Sequence, residues 1–89
     1  MMYPYMKLYD ETEITHSHLI ENYGVNEIEV HFERPTLTGF DVARCLLPKY
    51  RWIIREGFSD EEIQMFTQLL KSNAHLLYRY AESGGLRIA

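Results

Sequence analysis

Between Ser59 and Gly84-Gly85 the sequence marks a single helix at both ends, and that helix constrains what the rest of the chain can build. Ser59 with Glu62 forms a capping box, and Phe58 packs toward Ile63 as a hydrophobic staple. Asp60, Glu61 and Glu62 place negative charge where the helix dipole favours it. Gly84-Gly85 reads as a left-handed stop. At about 100° per residue, Ile63, Phe66, Leu70, Ala74, Leu77 and Ala81 fall within about 80° of one another. Met65, Leu69, Leu76 and Tyr80 form a second stripe centred roughly 110° away. One stripe docks a helix on a sheet; a second asks for another partner surface.

Length sharpens the point. A continuous helix from Ser59 to Ser83 would run roughly 36 Å, whereas a compact chain of 89 residues is about 31 Å across. The helix must overhang its domain or break. Ser72-Asn73 is the weakest place for a kink, because both side chains compete for backbone hydrogen bonds. Asn73 lies between the stripes, where its amide either sets register in an interface or caps a second, shorter helix. Both readings stay open.

The first two thirds read as strands. Met6 and Leu8 alternate with Tyr5, Lys7 and Tyr9, and Thr12 to Ile20 continues as a second strand after Asp10-Glu11. Asn22-Tyr23-Gly24 supplies a turn. Ile28, Val30 and Phe32 then alternate with Glu27, Glu29, His31 and Glu33, an oily face against an acidic one. Phe40 to Leu47 and Tyr50 to Arg55 complete the set, separated by Pro48. The sequence therefore predicts one α+β domain over 1–89: a four- or five-stranded antiparallel meander over about 5–55, packed on one long helix over about 59–83. Met6, Leu8, Ile28, Val30 and Phe32 should face Ile63, Phe66, Leu70 and Leu77. Strand two offers either Ile14, His16, His18 and Ile20 or Thr15, Ser17 and Leu19 to the core. Strand four is apolar on both faces, with Phe40 and Val42 against Ala43, Cys45 and Leu47.

Composition narrows the setting. Hydrophobic residues at 46% with charged ones at 25% exclude disorder and coiled coil as whole-chain readings. The single Cys cannot form an internal disulfide, and no transmembrane stretch or secretory signal is visible, so a reduced cytoplasmic protein without membrane attachment is expected. The net charge of −4 is unevenly spread. Seven carboxylates and no Lys or Arg lie between residues 10 and 33, while four cations lie between 44 and 55.

Few residues suggest chemistry. His16 and His18 would share a strand face and reach one metal ion, but two imidazoles do not make a site, and semi-buried sheet histidines are the commoner outcome. Cys45 sits in an apolar strand without a neighbouring base, which favours a packed thiol over a nucleophile. No catalytic signature is present, no cofactor motif appears, and a chain this short builds deep pockets with difficulty, so an enzyme is not expected. Arg44, Lys49, Tyr50, Arg51, Trp52 and Arg55 interleave charge with aromatic rings, a combination suited to single-stranded nucleic acid. The acidic whole-chain balance favours instead an electrostatic pairing of this segment with the acidic region. Glu27, Glu29 and Glu33 could dock an unidentified basic partner protein.

Met2-Tyr3-Pro4-Tyr5-Met6, Thr15-His16-Ser17, Val30-His31-Phe32-Glu33-Arg34-Pro35, Leu47-Pro48-x-Tyr50-x-Trp52 and Asn73-Ala74-His75-Leu76-Leu77 span most of the chain. In these stretches it resembles a family of small bacterial proteins of similar length with no assigned function. The resemblance implies no activity and no binding residues. From the residues themselves, the expectation is a non-enzymatic interaction protein that forms a homodimer through Met65, Leu69, Asn73, Leu76 and Tyr80. The competing use of that stripe is the segment Met1 to Tyr5 folding back over it.

Overall fold

The computed structural model describes residues 1–84; Gly85, the second glycine of the expected stop, lies outside them. The order is β1 (Tyr3–Lys7), β2 (Glu13–His16), β3 (Ile20–Asn22), β4 (Val25–Thr36), β5 (Gly39–Leu47), β6 (Arg51–Glu56) and α1 (Asp60–Ser83). The α+β architecture is as expected. All strand pairs are antiparallel, in the order β1-β2-β4-β5-β6, with β3 hairpinned onto the start of β4.

Six strands replace the four or five expected, because the segment from Thr12 to Ile20 does not run through. Ser17 interrupts it. Its hydroxyl accepts the Glu29 backbone N–H at 2.9 Å and donates to the His18 carbonyl at 2.8 Å, and its own N–H reaches the Glu29 carbonyl at 3.0 Å. The side chain thus takes over ladder positions, and the chain turns before β3 starts. Ile14 and His16 face the core, His18 and Ile20 are exposed, and Ser17 is buried beyond the break. Each of the two proposed strand-two faces is therefore half right. Tyr23 and Gly24 both hold positive φ, at 51° and 79°, and close the β3–β4 hairpin.

The core lies between one sheet face and the helix. It comprises Ile14, Ile28, Val30, Phe32, Ala43, Cys45 and Leu47 from the sheet, with Phe58, Ile63, Phe66, Leu70, Leu77 and Ala81 opposite. The first helical stripe is buried as expected, with Ala74 only partly so. Phe32 stacks on Phe66 at 4.3 Å between centroids, with Phe58 edge-on to Phe66 at 5.1 Å and Trp52 tilted against Phe32 at 5.5 Å. Met6, expected inside, is 38% exposed: β1 changes register between Pro4 and Met6, and Tyr5 turns toward the core instead.

The helix is unbroken. Ser59 accepts the Glu62 N–H while the Glu62 carboxylate accepts the Ser59 N–H, and Gly84 closes the far end at φ 81°. Asn73 satisfies its amide without a kink, donating to the Leu69 carbonyl at 2.8 Å. The expected conflict with domain size assumed a sphere. The molecule measures 38 × 32 × 22 Å, and its longest axis accommodates a helix of roughly 36 Å.

Where β6 meets the helix, Arg34 ties β4, β5, α1 and the β1–β2 turn together. It donates from Nε and Nη2 to Asp41 Oδ2 at 2.9 and 2.8 Å and from Nη1 to Asp10 Oδ2 at 3.2 Å, and it pairs with Glu62. Its guanidinium also stacks on Phe58 at 4.6 Å. Gly57, at φ 88°, passes so close that a Cβ there would lie 1.9 Å from Asp41 Oδ1, so only glycine fits between this cluster and the helix start.

Candidate functional site

The histidines proposed as metal ligands are placed apart in character. His16 is fully buried between the Tyr3 and Tyr5 rings, with Nδ1 2.8 Å from the Ser17 carbonyl, whereas His18 is exposed. Among the described residues no group of three His, Cys, Asp or Glu is arranged to hold a metal. Two of the glutamates of the expected acidic face are engaged within the chain: Glu27 is buried and accepts from Asn22 at 3.1 Å, and Glu29 lies 2.7 Å from His31 Nε2. Glu33 is exposed.

Cys45 is fully buried in the core, and burial pushes its thiol pKa up to about 12. At neutral pH such a thiol holds almost no thiolate, the reactive form. The folded protein should therefore leave a disulfide reagent unconsumed at about pH 8 and react with one equivalent only after denaturation. Stoichiometric reaction in the native state would contradict this packing.

The basic-aromatic segment is divided between the two sheet faces. Trp52 points to the helix, packs on Phe32 and donates Nε1–H to Thr67 at 3.1 Å. A register shift opposite Arg44 and Cys45 brings Arg55 to the same side, where it pairs with Asp60 at the helix start. Tyr50 sits in the turn at φ 56° under the Lys71 ammonium at 5.7 Å, and Lys49 is exposed beside it. Only Arg44 and Arg51 remain together on the far face. Charge and rings thus form no common platform for bases to stack on.

The second helical stripe is partly occupied from within. The Tyr5 hydroxyl donates to Asn73 Oδ1 at 2.5 Å, and its ring lies 6.0 Å from that of Tyr80. Burial, and then the neighbouring Tyr80, raise the Tyr5 pKa above its ordinary value. Leu69, Asn73, Leu76 and Tyr80 are all half-buried, and only Met65, at 55%, stays well exposed. The contact is the one that the fold-back of the N-terminal segment anticipates.

What sequence reasoning missed is the sheet face turned away from the helix. Register places Glu13, Glu33, Val42 and Glu56 in one row across it, Thr15, His31, Arg44 and Ile54 in the next, and Glu29, Leu46 and Arg51 in a third. The only helix among the described residues packs on the opposite face. Val42, Leu46 and Ile54 are half-buried among one another's neighbours, and Phe40 at the end of the same face is 63% exposed. Charge on this face is mixed: β2 and β4 contribute Glu13, Glu29 and Glu33, β5 contributes Arg44, and β6 contributes both Arg51 and Glu56. Arg44 Nε is buried and has no hydrogen-bond partner among the described residues. The signal was present in the sequence as strand four's apolar residues on both faces. No known family, curated protein or solved structure matches the chain, so the resemblance read from its sequence assigns no residue a role.

Proposed function

We propose that the protein is a non-enzymatic interaction module that works as a homodimer. The observation carrying this reading is the two-layer build: one helix covers one sheet face, while the opposite face keeps Val42, Leu46 and Ile54 half-buried among charged side chains. A sheet that puts apolar residues on both faces has a use for both. The placement of the reactive side chains supports a non-catalytic role, with Cys45 and His16 sealed in the core and the exposed His18 and His75 on separate elements. Closed two-fold pairs are the commonest assemblies of single chains, which favours a second copy as the partner. Equilibrium sedimentation across about 1 to 200 micromolar tests the reading, because that range brackets an ordinary reversible dimer. The expected result is a species of twice the chain mass that dissociates on dilution. A monomer throughout would overturn it.

A further inference from the structure

We draw no further inference here: the strongest candidate, the shallow cleft where Glu13, Glu33, Pro35 and Phe40 meet at one end of the uncovered sheet face, is an acidic cluster on an unpartnered surface, and nothing in the structure shows what covers it.

Discussion

Replacing Phe66 with Ala is expected to cost about 3–5 kcal/mol, the range for deleting a fully buried aromatic ring. A chain of 89 residues has roughly 4–13 kcal/mol of total stability, so a large part of the reserve goes with one side chain. The position explains the size. Phe66 is 1% exposed and lies between Phe32, stacked at 4.3 Å with planes 14° apart, and Phe58, edge-on at 5.1 Å. Removing it separates helix from sheet at their closest packing and leaves two rings without their partner. Urea titration should show the midpoint falling sharply with little change in slope, the mark of lost stability in an otherwise unchanged two-state transition. A loss below about 1 kcal/mol would mean that the core collapses readily around the gap.

Arg34→Met is expected to be the second most damaging change, at about 2–4 kcal/mol near neutral pH. The substitution keeps apolar contact with Phe58 but leaves Asp10, Asp41 and Glu62 facing one another without their common cation. Its dependence on pH separates charge from packing. The Arg34 guanidinium, and then the Ser59 N–H, hold the Glu62 carboxyl below its ordinary pKa, while Thr12, with Arg34 behind it, does so for Asp10. A carboxyl depressed by folding adds stability that is complete above its unfolded value and disappears as pH falls through its folded one. Wild-type stability should therefore be level above about pH 5 and decline toward about pH 3. In Arg34→Met the decline should be shallower, and the gap between the two proteins should narrow on acidification. A gap of equal size at both pH values would assign the loss to packing.

The parts of the fold legible in sequence are those whose determinants lie close together along the chain. The Ser59–Glu62 box and the Gly84 stop both sit within one turn of what they cap, and the alternation over Ile28 to Phe32 is contained in five residues. What could not be read depends on partners far away in sequence. The break at Ser17 exists because Glu29 presents its backbone there, twelve residues on. The satisfaction of Asn73 depends on Tyr5, and the Arg34 cluster gathers residues from positions 10, 41 and 62. The basic segment looked coherent because a uniform alternation was assumed, and one register shift in β6 moves Arg55 to the face of Trp52. The uncovered sheet face needed the pairing register of β2, β4, β5 and β6 before its charge pattern existed at all.

The Tyr5–Asn73 hydrogen bond spans 68 positions of chain, and this gives β1 a particular place in the order of events. Bringing together segments so far apart in sequence carries a loop-closure cost, which is met only after the intervening sheet and helix have formed. β1 is also an edge strand of five residues with little buried surface. It is thus the last piece to dock and the first to lift off, its amides exchanging with solvent through local opening while those of β4 and β5 await global unfolding. When it lifts, the buried His16 meets water and the half-buried Asn73 loses its Tyr5 partner. One short strand sets whether that imidazole belongs to the interior.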